Sequence, residues 1–439
     1  MKIARKFLRQ NVSEIKAHLL VAAFQQEWAL RLLRWWFRHD RTPEGVAAST
    51  TQYVALAQMA GQADKALAEL QRALTIHPTL SVLWLLNGRT LFALGRHEEA
   101  LKSLSEACAL DAQLSAAWSL QTAVLYQLHR YDDALNSGRQ TLLLNEADQR
   151  CWNTLGLVLV ALERHEQAAL SFATAREIKA DFAEAWRNEG QTLNALRRHT
   201  EALEAFANAL KFAPNDLEAH LAKARALTAL ARPAEALGCY DRYLSGHPID
   251  AAVWAERALD LCAAGQREKA VASAARAVEL APETGRYWLS YGSVLDEAGS
   301  TGEALSSYQR ALELSPNLQR AWHQLGRLYL REFLSAVKQG DLRLAERHWS
   351  EGVRCGRQGQ GPEWQRLEFD FLQGAVVLGQ REFVLQLLLE LADGNPQLPP
   401  LQCAIEVMLA GNNAVLKRLP RDLRRHTEEL IQRLAPLAA

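Results

Sequence analysis

Seven of the twelve tryptophans stand in one register. Trp84, Trp118, Trp152 and Trp186 follow one another at 34 residues, His220 takes the next place, and Trp254, Trp288 and Trp322 resume the count. Sixteen residues after the first seven of these places comes an alanine: Ala100, Ala134, Ala168, Ala202, Ala236, Ala270 and Ala304. Pro214, Pro248, Pro282 and Pro316 lie 28 residues after theirs. One period earlier, Ala66, Leu70, Ala73 and Pro78 mark a unit without the tryptophan that begins near Ala47. A period of this length makes each repeat one supersecondary unit that cannot bury its apolar face alone. Stability then comes from stacking the units, with small residues such as Gly156, Ala168 and Ala175 letting two antiparallel helices approach and the tryptophan filling the gap beside them.

The pattern resembles the tetratricopeptide repeat, a helix pair with Trp, Leu-Gly and Tyr or Leu on its first helix and Ala, Phe and Ala on its second, ended by Pro. The fourth unit carries it in Trp152, Leu155, Gly156, Leu159, Ala168, Phe172 and Ala175; the eighth carries Trp288, Gly292, Leu295, Ala304, Tyr308, Ala311 and Pro316. The resemblance implies an all-α fold, a right-handed superhelical α-solenoid of tandem helix-turn-helix units with helical caps at both ends. Residues 47–318 form eight gapless units, and 319–360 a ninth that begins with Trp322, Leu325, Gly326 and Tyr329. There Gly340 and Ala345 arrive seven residues late, about two helical turns, so the first helix is expected to be lengthened in phase. Residues 1–46 read as a basic, Trp-rich helical cap, and residues 361–439 as degenerate repeat-like helices and a C-terminal cap.

Composition agrees with such an array. Lys plus Arg (50) balances Asp plus Glu (50), so no bulk charge points to nucleic acid. The six cysteines are scattered with no CxxC pair, the usage of a reducing compartment. A cytoplasmic address follows, with a possible peripheral contact at the inner face of a membrane: residues 1–45 hold nine Lys or Arg against four Asp or Glu, a net of plus five, and include LLRWWFRHDR. No stretch has the eighteen or so uninterrupted apolar residues of a membrane-spanning helix.

Catalytic constellations are missing. His97-Glu98 and His165-Glu166 begin like a zinc-protease helix, but Leu101 and Ala169 stand where the second histidine is required. No phosphate loop and no nucleophile elbow occur, and paired carboxylates such as Asp132-Asp133 start second helices, where the helix dipole favours acids. No enzyme, cofactor or metal site is expected.

What remains is the groove that the resemblance assigns to the first helices, at places two, five, six, nine, twelve and thirteen of each unit. Those places give Leu85, Leu86 and Phe92, then Leu120 and Tyr126, then Leu157 and Val160. Arg187, Asn188, Gln191 and Asn194 follow in unit five and Arg225 in unit six. Arg286 and Asp296 precede Arg320, His323 and Arg327 of unit nine. The groove passes from apolar to amide-rich to basic, which suits an extended protein or peptide segment: apolar walls for its side chains, amides for its backbone, arginines for a carboxylate. The family's chaperone-type carboxylate clamp needs Lys and Asn in one unit, Asn in the next and Lys and Arg in a third, and no three successive units supply that set. The expected function is a non-catalytic scaffold or adaptor. The alternative is an assembly or regulatory factor of a cell-surface, secretion or glycosylation machine, recruited to the membrane by the N-terminal helix. Neither reading fixes the oligomeric state.

Overall fold

The computed structural model describes residues 43–59, 62–339 and 341–359. The basic N-terminal segment before Pro43 and the helices expected after residue 360 lie outside the described residues. Every regular element among the described residues is an α-helix, and the chain divides into two compact units, Met1–Ala231 and Arg232–Ala439.

The first unit holds α1 (Pro43–Met59), α2 (Ala63–Ile76), α3 (Ser81–Ala93), α4 (His97–Leu110), α5 (Ser115–Gln127), α6 (Tyr131–Leu144), α7 (Gln149–Ala161), α8 (His165–Ile178), α9 (Ala183–Ala195), α10 (His199–Phe212) and α11 (Leu217–Ala229). Each first helix packs on the second helix that follows it, and each second helix on the next first helix. The first helices α3, α5, α7, α9 and α11 also lie against one another, which the second helices do not do to the same degree. The stack therefore bends toward its first helices, and their outward row becomes the inner face.

The second unit holds α12 (Pro233–Gly246), α13 (Ala251–Ala263), α14 (Arg267–Leu280), α15 (Gly285–Ala298), α16 (Thr301–Leu314), α17 (Gln319–Gln339) and α18 (Leu342–Gly359). α17 has 21 residues where α13 has 13. Its added length keeps the apolar stripe in phase, because Leu325, Tyr329, Phe333 and Ala336 are all buried at helical spacing.

Close approach within the pairs comes from small residues facing large ones. Ala100, Ala134, Ala168 and Ala202 have no exposed surface. A Cβ on Gly156 would stand 2.5 Å from the Phe172 ring, and one on Gly190 2.6 Å from the Phe206 ring. The tryptophans have a role beyond filling space. They are only half-buried, and each indole N–H donates to the carbonyl six residues earlier: Trp84 to Pro78 (2.8 Å), Trp118 to Ala112 (3.1 Å), Trp152 to Glu146 (2.9 Å) and Trp186 to Ala180 (2.8 Å). That bond fastens each first helix to the turn preceding it. His220 keeps it, with Nε2 3.0 Å from the Pro214 carbonyl, so its proton sits on Nε2.

Within each pair the turn repeats one device. Gly95, His129, Glu163, Arg197 and Ala231 in the first unit, and Gly265 and Gly299 in the second, all have positive φ. The next residue's N–H reaches back to the helix, as in Arg130 to Leu125 (2.9 Å) and Arg198 to Leu193 (2.9 Å), while His129 bonds Tyr126 (3.0 Å) and Arg197 bonds Asn194 (3.0 Å). This double closure normally calls for glycine at the positive-φ residue. His129, Glu163 and Arg197 accept the strain because the stacked helices on both sides fix the chain reversal.

Candidate functional site

On a helix, residues at i, i+3, i+7 and i+10 share one face. On α3 this row is Val82, Leu85, Arg89 and Phe92; on α5 it is Ala116, Ser119, Ala123 and Tyr126. On α7 it is Arg150, Asn153, Leu157 and Val160, and on α9 Glu184, Arg187, Gln191 and Asn194. The expected apolar residues Leu85, Phe92, Leu120, Tyr126 and Leu157 are half-buried, each packed against a core cluster. Leu86 differs: at 3% exposure it belongs to a core cluster with Tyr53, Val54 and Leu70, because α1 and α2 cover it.

The polar residues of α9 are engaged within the chain. Asn188 is buried and donates from Nδ2 to Asn153 Oδ1 at 2.9 Å, and Asn153 in turn donates to Glu184 Oε1 at 3.4 Å. Arg187 pairs with Asp216, the N-cap of α11, at 2.8 Å. Asn194 Oδ1 lies 2.7 Å from His199 Nδ1, at the start of α10. Gln191 is exposed and makes no such bond among the described residues. On the opposite side of α9, Glu189 accepts from Arg176 at 2.6 Å, and that guanidinium lies 4.4 Å from the Trp186 ring centre. Burial holds the Glu189 carboxyl above the usual carboxylate range, against the opposing pull of Arg176. Asn153 stands in the row and Asp216 just before α11, and the sequence shows a donor at Asn188 and Arg187 without showing that these two face them.

Two charged residues were also missed at this face, although both occupy groove places of their units. Arg89 and Arg150 are exposed and form no ion pair among the described residues. They are the only charged residues of α3, α5 and α7, which contain no Asp or Glu. The second helices behind them carry the acids: Glu98, Glu99 and Glu106 on α4, Asp132 and Asp133 on α6, Glu166 and Glu177 on α8. Arg225, on α11, is exposed.

In the second unit Arg320 and Arg327 of α17 are exposed, and Arg327 donates to Gln324 at 3.3 Å. His323 is half-buried, its Nδ1 enclosed without a partner. On α15, Arg286 donates to the Tyr287 hydroxyl at 2.8 Å and Asp296 accepts from Arg331. Burial raises the thiols of Cys151 and Cys355 to about 12 and that of Cys262 to about 11, leaving them protonated and unreactive near neutrality. Among the described residues no group of three or more His, Cys, Asp or Glu could hold a metal ion, and no helix is long and apolar enough to cross a membrane.

Comparison with known proteins bears on the repeat. Models of the tetratricopeptide repeat match residues 57–124, and again residues 153–217 and 255–318. No curated protein matches the sequence. Among solved structures, YrrB, described as a TPR protein with an unusual peptide-binding site, is 19% identical, with 43% of this chain and 96% of that one covered and a TM-score of 0.40. PilF of Pseudomonas aeruginosa is 19% identical over 49% of this chain and 97% of its own, with a TM-score of 0.44. A tetratricopeptide repeat protein of Parabacteroides merdae is 16% identical over 56% and 96%, with a TM-score of 0.39.

Proposed function

Because the chain is a tetratricopeptide-repeat protein, we propose that it serves as a non-catalytic scaffold or adaptor, holding an extended segment of a partner protein against the inner face of its first helices. Repeats of this family suggest protein-protein interaction in general and are generally non-catalytic. The observation that carries the finer reading is the inner face of α3, α5 and α7. There Leu85, Phe92, Tyr126 and Leu157 stand half-buried in a row, across three helices that carry no acidic residue. Apolar surface left open in a register is what an extended chain laid across the helices would cover.

The test is site-specific photo-crosslinking in the native host. A photoreactive phenylalanine at Tyr126 is expected to capture a discrete partner, and the same group at Leu143, 79% exposed on the second helix α6, is not. Equal capture from both positions, or capture from Leu143 alone, would move the binding surface off the inner face and end this reading.

A further inference from the structure

The same face carries an inference about the chemistry of its occupant, which rests on the reading just given. Arg89 is the ninth residue of α3 and Arg150 the second of α7, so they stand two helices apart and seven residues out of step along the helix axis. Neighbouring helix axes lie about 8 to 10 Å apart, which separates the two rows by about 16 to 20 Å. Seven residues along an axis add an offset of about 10 Å. The guanidinium-bearing residues thus stand about 20 Å apart on the diagonal. An extended chain covers about 3.3 Å per residue, so about six residues join them. Between the arginines, α5 contributes only the small side chains of Ala116, Ser119 and Ala123, a hollow by side-chain size that is bordered by half-buried Leu85 on α3 and Leu157 on α7.

We propose that the inner face of α3, α5 and α7 takes an extended acidic segment in which two carboxylates lie six residues apart, with apolar side chains at the second and fourth positions between them. The spacing follows from the diagonal, and the phase from the alternation of an extended chain. Residues 0, 2, 4 and 6 all point one way, so the segment that gives its acids to Arg89 and Arg150 also turns those two apolar groups into the hollow. Charge complementarity sets the sign: the three helices carry two arginines and no carboxylate, and Glu184, which α9 brings against α7, accepts from Asn153 at 3.4 Å and forms no ion pair with Arg150.

The experiment is fluorescence anisotropy of the full chain with labelled peptides. One peptide has Asp at positions 0 and 6 with Phe and Leu at 2 and 4. A second has the same composition with Phe and Leu at 1 and 3, and a third replaces both Asp by Lys. The in-phase acidic peptide is expected to bind at least tenfold more tightly than either of the others. The double variant Arg89→Glu, Arg150→Glu, checked by thermal melting to be folded, is expected to lose that binding and to prefer the Lys peptide. Equal binding of in-phase and out-of-phase peptides, or of acidic and basic ones, overturns the proposal. If an uncharged Phe-Leu peptide binds as well as the acidic one, and Ala123→Trp abolishes it, the acidic pattern is wrong while the inner-face reading stands. If no peptide binds and photo-crosslinking at Tyr126 also captures nothing, both fall together.

Discussion

α7 and α9 lie side by side on the inner face, yet they offer opposite surfaces. α7 presents Arg150, Leu157 and Val160 to solvent, while α9, with four hydrogen-bonding residues within eight positions, has turned three of them onto its own chain. Density of polar groups is therefore a poor marker of a ligand site in a stacked array. Each repeat must be held to the next, and where apolar packing is thin an amide pair can do it, since a buried polar group demands a partner wherever it sits. Asn153–Asn188 joins one repeat to its successor, and Arg187–Asp216 ties α9 to the N-cap of the next first helix, α11. The ordinary-looking apolar row is the part left open.

The largest effect expected from this contrast is at the tryptophans. Trp118→Ala, in the open stretch, loses a half-buried ring and its bond to Ala112, about 2 to 3 kcal/mol and below the cost of a fully buried one. Trp186→Ala, in the clamped stretch, also strips the Arg176 guanidinium of the ring beneath it, adding about 1 kcal/mol. Urea unfolding of the two variants should differ in that order; equal midpoints would mean that the Arg176–Glu189 pair holds itself without the ring.

Next comes the amide pair. Asn188→Ala leaves Asn153 Oδ1 without its donor in a buried site, an expected loss of about 1 to 3 kcal/mol with little change in peptide binding. Adding Asn153→Ala should cost less than the sum of the single losses, a coupling readable as a double-mutant cycle. Strict additivity, or a binding defect larger than the stability defect, would return Asn188 to the ligand site.

How far the sequence discloses these features depends on their range. The tryptophan, alanine and proline register is a local pattern repeated, so helix pairs and their order are legible from it. Leu86 and Asn188 were legible as first-helix positions but not as occupied ones. Their neighbours, Tyr53 and Asn153, lie in the preceding repeat, where only packing decides which place faces which. The positive-φ turn is concealed for another reason. Gly95, Gly265 and Gly299 mark it, but His129, Glu163 and Arg197 hold the same conformation against their own preference, because tertiary packing outweighs about 1 kcal/mol of local cost.

That strain gives the smallest of the expected effects, and it too separates the two stretches. At Arg197, φ is 59° and the exposed side chain has no partner among the described residues, so Arg197→Gly relieves the left-handed conformation with nothing lost. A gain of about 0.5 to 1 kcal/mol is expected, reduced from the full strain by the greater freedom of glycine in the unfolded chain. At His129, φ is 56° but Nδ1 lies 2.8 Å from the Tyr131 hydroxyl, so His129→Gly exchanges strain relief for a lost hydrogen bond and should gain less. The measurement is the urea midpoint at unchanged slope. If His129→Gly stabilises as much as Arg197→Gly, the His129–Tyr131 bond contributes nothing. The open stretch would then be held at that turn by backbone closure alone.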